Sequence, residues 1–115
     1  MGFAAEELAE YTRLMTEFVE RRRPPEEKRH LVDVGFRIKG QSVEIFEIRP
    51  IWDAPQDKME EPIAKATYVR TQNTWRVFWM RRDLKWHGYP LQPEVPSLVG
   101  FLKLVDDDDC CCFWG

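Results

Sequence analysis

Apolar side chains in the first part of the chain recur at every third or fourth position, which is the spacing of one helix face. The residues with this spacing are Leu8, Tyr11, Met15, Phe18 and Val19. Glutamates crowd the start of the stretch and arginines crowd its end, as the helix dipole favours. Because Pro24 and Pro25 stop a helix, the pattern predicts an amphipathic helix over residues 4–23.

The spacing then changes to strict alternation, which is typical of strands with one buried face. Residues 31–39 place Val34 and Phe36 on the same, inward face. Gly40-Gln41 supplies a tight turn, and residues 43–52 form the second strand of a hairpin. Pro50 indicates an edge strand or the end of that strand.

The segments after the hairpin are shorter. Residues 53–62 are acidic and contain prolines, so they are predicted to form a loop. Strands are predicted over residues 63–70 and 75–82, and residues 85–89 form a short fifth strand or an extended segment. A last apolar stripe at helical spacing predicts a C-terminal helix, and its members are Val95, Leu98, Leu102 and Val105.

The order of these elements indicates the fold. No helix separates the strands, so the sheet is expected to be antiparallel. The sequence therefore predicts an α+β fold in which an antiparallel meander sheet of four to five strands is flanked by the N- and C-terminal helices on one face. No repeat or change of composition divides the chain, so residues 1–115 are predicted to form a single domain.

Composition adds the broad class of protein. Hydrophobic residues make up 43% and charged residues 32% of the 115, which is typical of a soluble globular domain. No run approaches the ~18 apolar residues that a membrane span needs. The three cysteines are adjacent, at 110–112, which is not the pattern of an extracellular disulfide framework. We expect reduced cysteines, no membrane association and a cytoplasmic protein.

Charge is unevenly distributed around a net value of −3. Residues 61–92 carry two acids and six bases, whereas residues 93–115 carry five acids and one base. A basic middle before an acidic tail indicates either a nucleic-acid patch or a domain that neutralises itself. Self-neutralisation is the simpler interpretation for a chain that is acidic as a whole.

The basic middle contains the strongest candidate for a site, WRVFWMRRDLKWHGY at 75–89, which holds three of the five tryptophans. Aromatic side chains beside cations supply flat contact area and orienting charge. The candidate binding residues are Arg76, Trp79, Arg81, Arg82, Lys85, Trp86, His87 and Tyr89. The same stretch is also consistent with single-stranded nucleic-acid binding by stacking, or with a hairpin whose aromatic rings only pack.

Chemistry that would make the protein an enzyme is hard to find. No nucleophile elbow, phosphate loop or metalloprotease motif is present. Glu47, Arg49 and Lys65 resemble a nuclease-like group of acid and lysine, although a cross-strand ion pair explains them more simply. Adjacent cysteines cannot easily turn their thiolates to one ion, so no metal site and no cofactor are predicted.

The chain ends in Phe113 and Trp114 after a run of aspartates and cysteines. Large aromatic side chains are unusual in a disordered terminus. Phe113 and Trp114 are predicted to fold back onto the second face of the sheet, near Phe78 and Met80, while the preceding aspartates face solvent. The alternative is that the two aromatic residues form a short docking peptide for a partner.

Four blocks of the chain carry a resemblance to a known family. They are VEIFEIRPIWD (43–53), IAKATYVR (63–70), TWRVFWMRRDLKWHGY (74–89) and the terminal FWG (113–115). In order and spacing they resemble the small bacterial family catalogued as domain of unknown function 3024. The resemblance implies a short, stand-alone bacterial protein and implies no reaction, cofactor or partner. The run of aspartates and cysteines before Phe113 differs from the family pattern.

The functional prediction is a small cytoplasmic binding or interaction module without an identifiable catalytic site. A protein partner or self-association is favoured over nucleic acid. Single-stranded nucleic-acid binding through residues 75–89 is the first alternative, and a hydrolase site around Glu47, Arg49 and Lys65 is the second.

Overall fold

The computed structural model describes residues 2–108 and 112–114. The elements in chain order are helix α1 (Ala5–Arg22), strands β1 (Asp33–Lys39), β2 (Ser42–Ile51), β3 (Ala54–Val69), β4 (Thr74–Met80), β5 (Trp86–Gly88) and β6 (Glu94–Val95), and helix α2 (Leu98–Asp107). Single turns of 3-10 helix lie at Glu26–Lys28 and Arg70–Gln72. The predicted α+β fold with an antiparallel sheet is confirmed. Neither helix in the described part of the chain is long and apolar enough to cross a membrane.

The sheet is a meander in which β1, β2, β3 and β4 lie side by side, each antiparallel to the next. Two short strands share the far edge of β4. β5 pairs with Phe78–Met80, and β6 pairs with Trp75 and Arg76. The last strand position of the sheet is therefore filled by two separate pieces of chain.

Both helices pack against one face of the sheet and enclose the core with it. The apolar stripe of α1 contributes Met15 and Phe18, and that of α2 contributes Phe101 and Val105; all four side chains are almost completely buried. The facing sheet residues of the core are Val34, Val43, Ile45, Ala66, Trp75 and Val77. Phe36, which was predicted to be inward, packs against this core at the edge strand and is half-buried.

The β2–β3 hairpin is the largest departure from the sequence prediction. The stretch 53–62 was predicted to be a loop, but β3 begins at Ala54 directly after a two-residue turn. Within residues 54–63 only Ala54 and Lys58–Pro62 pair with β2, and β4 pairs with β3 only over Ala64–Val69. A register shift opposite Pro50 and Ile51 separates Ala54 from Lys58. Prolines and charges are tolerated on this piece because one edge has no strand beside it. A bulge opposite Ile45 and Phe46 ends the regular pairing within the body of the sheet.

The C-terminal tail folds back onto the molecule, as predicted, but on the helix-covered side rather than near Phe78 and Met80. Phe113 is 5% exposed, and its ring lies 4.8 Å from that of Tyr89. The Trp114 indole nitrogen donates a 2.9 Å hydrogen bond to the Val105 carbonyl at the end of α2. The tail therefore extends the main core instead of covering the open face of the sheet.

Asp108 directs this reversal. Its backbone is in the left-handed region, with φ 43°, and its carboxylate accepts hydrogen bonds of 3.0 and 2.9 Å from the N–H groups of Phe113 and Trp114. The prediction that these aspartates only face solvent is thus wrong for Asp108. Asp106 remains 30% exposed and pairs with Arg21 at 2.7 Å.

Cys112 also differs from the sequence prediction. This residue is disulfide-bonded, so the prediction of reduced cysteines is wrong for it. The prediction rested on the adjacent positions 110–112, which are not the pattern of an extracellular disulfide framework. Cys110 and Cys111 lie outside the described residues.

Candidate functional site

The eight candidate binding residues do not form one surface, because alternate residues of a strand point to opposite faces of a sheet. In β4, Trp75, Val77 and Trp79 face the helices, whereas Arg76 and Phe78 face the other way. We call this other side, which neither helix covers, the open face. The candidates are therefore divided among the helix-covered side, the open face and the turn that joins β4 to β5.

The helix-covered side holds Tyr89, Trp79 and His87. Tyr89 is 1% exposed and packs against Phe113, so it is part of the core. Trp79 packs against the edge of the same core, with the Arg81 guanidinium 5.6 Å from its ring. Trp79 and Tyr89, two of the eight candidate binding residues, are thus turned away from the open face.

His87 lies opposite Trp79 in the β4–β5 pairing and is tied to the turn. Its Nε2 atom is 2.8 Å from Oδ2 of Asp83, and the other carboxylate oxygen accepts the backbone N–H of Lys85 at 3.0 Å. The hydrogen bond with His87 is the main cause that lowers the pKa of Asp83. Asp83 therefore orients this turn, with His87 as its side-chain partner.

The turn itself exposes both charge and apolar surface. Arg82 and Lys85 are exposed, and Leu84 between them is 80% exposed. Leu84 has φ 61°, a left-handed conformation that a leucine rarely adopts. The backbone thus holds an apolar side chain in solvent between two cations.

The open face is a ladder of cross-strand neighbours that continues over five strands. One row runs Arg37, Glu44, Lys65, Phe78 and Gly88, from β1 to β5. The next row runs Lys39, Ser42, Thr67, Arg76 and Glu94, from β1 to β6. Trp86 stands opposite Met80 at one end. Of the eight candidates, only Arg76 and Trp86 belong to this face.

Lys65 is the centre of the open face. Its ammonium nitrogen lies 5.7 Å from the ring centroid of Phe78 and 5.7 Å from that of Trp86. This is cation–π distance, and it brings together residues from three neighbouring strands. Sequence reasoning placed Lys65 elsewhere because the register of β3 cannot be read from local alternation.

A second cation–ring pair lies at the β1–β2 end of the open face. The Arg37 guanidinium is 4.6 Å from the ring of Phe46 and pairs with Glu60. The ring also rests on Gly35, where an added Cβ would come within 2.9 Å of it. Neither Arg37 nor Phe46 was identified from the sequence; the alternation of β2 places Phe46 on this face, but only the structure shows its partners.

Several cationic side chains without an ion pair lie on the open face and in the adjoining turn. Within the part of the chain that the structure describes, no carboxylate oxygen lies within 4.0 Å of the side-chain nitrogens of Lys39, Lys65, Arg76, Arg82 or Lys85. The unpaired acids among their neighbours in the ladder are Glu44 and Glu94. This side of the sheet therefore carries an excess of positive charge on a protein whose net charge is −3.

The nuclease-like group predicted around Glu47 does not form. Arg49 pairs with Glu47 at 3.1 Å and with Glu61 at 3.4 Å, as the simpler ion-pair interpretation expected. Lys65 is opposite Glu44 and stands on the other face of the sheet. Acid and lysine therefore cannot act on one substrate atom. No group of three or more metal-ligating side chains occurs in residues 2–108 and 112–114.

A family model with the description "Domain of unknown function (DUF3024)" matches residues 3–115. No curated protein and no solved structure matches the chain. The match covers nearly the whole chain, including the strands of the open face and the C-terminal tail.

Proposed function

We propose that this chain, which belongs to the DUF3024 family, is an interaction module that binds an acidic protein surface through the open face of its sheet. The observation that carries the proposal is the position of Lys65. Lys65 is half-buried, its ammonium nitrogen lies 5.7 Å from the ring centroids of both Phe78 and Trp86, and it has no carboxylate partner among the described residues. A carboxylate from a partner would complete this arrangement, and the two rings would supply the apolar contact.

The arrangement favours protein over single-stranded nucleic acid for two reasons. Base stacking needs a free ring face, but Arg37 lies over Phe46 and Lys65 lies near both Phe78 and Trp86. A phosphate backbone also carries a negative charge at every nucleotide and would bring some of that charge beside Glu44, which neighbours Lys65 in the ladder. Alternating charges and apolar side chains are instead what a protein surface can complement.

The proposal contains no chemical step. Glu47 and Arg49 neutralise each other on the opposite side of the sheet, and His87 is engaged by Asp83. The residues of the open face act by contact area, charge and orientation.

Fluorescence anisotropy with two labelled probes tests the proposal: an acidic peptide of glutamate, aspartate and phenylalanine, and a twelve-nucleotide oligothymidine. We expect the peptide to bind at low salt and each of Lys65→Gln and Trp86→Ala to weaken it at least about fivefold, since each removes part of the same contact. Trp52→Ala is the matched control, because Trp52 is 92% exposed at the hairpin tip, away from the ladder. Saturable oligothymidine binding with a steep salt dependence, weakened by Trp86→Ala, would contradict the proposal and support the nucleic-acid alternative.

A further inference from the structure

A groove lies beside β3 where the sheet would need one more strand. β4 ends at Met80 and the chain turns away, so the edge of β3 from Ala54 to Ile63 has no neighbour on that side. The groove has a volume of about 480 Å³ and is lined by Met59, Glu60, Glu61, Pro62, Met80 and Leu84. It therefore combines an unpaired strand edge with an apolar wall.

The backbone conformation of Leu84 keeps the apolar wall of the groove exposed. Leu84 stands at φ 61° with 80% of its surface exposed, and Met59 across the groove is 43% exposed. Leucine is disfavoured at positive φ, and such strain in a protein occurs most often at sites of function. A side chain inserted between Met59 and Leu84 would bury both.

The unbalanced charge at the rim is positive. Glu60 and Glu61 are already paired, with Arg37 and Arg49. Arg82 and Lys85, on either side of Leu84, have no ion pair among the described residues. Asp57, closer to the hairpin tip, is the unpaired carboxylate on the β3 side in that same part of the chain. An occupant that carries acids is therefore favoured beside the turn.

We propose that the edge of β3 accepts an extended segment of a partner protein, in which apolar and acidic residues alternate, as an added antiparallel or parallel strand. In the regularly paired stretch Lys58–Glu61, every second residue turns its N–H and C=O groups away from β2 and toward this segment. An apolar side chain of the segment enters between Met59, Met80 and Leu84, and its acids pair with Arg82 and Lys85. This inference rests on the proposed function and specifies how the acidic partner is held.

The prolines of β3 limit the length of the added strand. Pro55 and Pro62 bracket the six residues 56–61 and lack the N–H that a longer strand would need. They also protect the edge against indiscriminate pairing. A second copy of the chain is a poor occupant, because its residues 56–61 hold one apolar side chain, Met59, and do not alternate apolar and acidic residues.

Amide NMR spectra of the whole chain, titrated with synthetic octapeptides, test the inference. The probes are acetylated (Val-Glu)4, (Val-Lys)4, and a (Val-Glu)4 in which alternate backbone nitrogens are methylated and cannot pair as a strand. We expect (Val-Glu)4 to shift the amides of Gln56–Glu61 and to slow their hydrogen exchange. The methylated and the lysine peptides should bind at least about tenfold more weakly.

Leu84→Gly is the decisive variant, because glycine accepts φ 61° without strain and the fold should be kept. We expect at least about tenfold weaker binding of (Val-Glu)4, whereas Leu91→Gly, which removes another exposed leucine outside the groove, should leave it unchanged. Shifts confined to the Lys65 and Trp86 region would overturn strand addition and leave the interaction function standing. Absence of binding would overturn both, and a dimer formed through residues 56–61 would replace the partner segment by a second copy.

Discussion

The contribution of the docked C-terminal tail to the stability of the fold can be measured with the substitution Phe113→Ala. The ring is 5% exposed and 4.8 Å from the ring of Tyr89. Burying such a ring contributes about 1.5–3 kcal/mol, and the aromatic pair adds about 0.5–1.5 kcal/mol. The full loss would thus be about 2–4.5 kcal/mol.

The tail can also detach, which limits the loss. Once Phe113 no longer holds it, the chain after α2 regains roughly 1–2 kcal/mol of backbone entropy per released residue. We therefore expect the free energy of unfolding to fall by about 2–3 kcal/mol. Since Trp114 depends on the same docked tail, Trp114→Ala in the Phe113→Ala background should lower stability less than it does alone.

Urea unfolding followed by far-ultraviolet circular dichroism measures these changes. With the slopes of about 1–3 kcal/mol per molar urea that small domains show, the midpoint for Phe113→Ala should fall by on the order of 1 M or more. Val99→Ala is the control, because Val99 is 58% exposed on α2. A loss below about 0.5 kcal/mol for Phe113→Ala, or full additivity with Trp114→Ala, would mean that the tail does not dock as a unit.

Three further substitutions test the body of the fold by the same urea assay. Gly35→Ala should lower the free energy of unfolding by about 1–3 kcal/mol, because the added Cβ meets the Phe46 ring at 2.9 Å. Gly88→Ala is the control and should change this free energy little, because no atom lies within 4 Å of the added Cβ. Equal effects of the two substitutions would contradict the contact between Gly35 and Phe46. Phe36→Ala should lower the free energy of unfolding by about 1–3 kcal/mol. This is less than for a fully buried ring, because Phe36 is half-buried at the sheet edge. An unchanged urea midpoint would contradict its contact with the core. The 2.8 Å hydrogen bonds from Arg23 lower the pKa of Asp33, so this stability is present above about pH 5 and is lost as the pH falls below ~3.9 through the lowered value. Asp33→Asn should therefore flatten the drop of the midpoint between pH 5 and 2, and an unchanged drop would show that the pair does not couple to folding.

Local sequence was enough to predict both helices, most of the strands and the class of fold. α1 was predicted over 4–23 and spans Ala5–Arg22, because the period of a helix and the two prolines after it are properties of neighbouring residues. The alternation of β1 likewise assigned Val34 to the inward face, and this residue is buried in the core. The apolar residues at the end of the tail predicted that Phe113 is buried, but they did not predict which side of the sheet it packs on.

The candidate site was decided by contacts between residues distant in sequence. Eight residues close together in the chain were predicted as one surface, but β pairing sends Tyr89 into the core and Trp79 to the helix-covered side. Lys65, which the sequence assigned to another site, stands between Phe78 and Trp86 because the bulge and the register of β3 place it there.

The loop prediction for residues 53–62 failed for a related reason. Prolines and charges argue against a strand with two neighbours but not against one with a free edge, and edge or centre is a property of the whole sheet. Periodicity along the chain thus determined which residues alternate and which form helices. The pairing of strands, which depends on residues far apart in the chain, decided which side chains meet on the open face and where the unpaired edge of β3 lies.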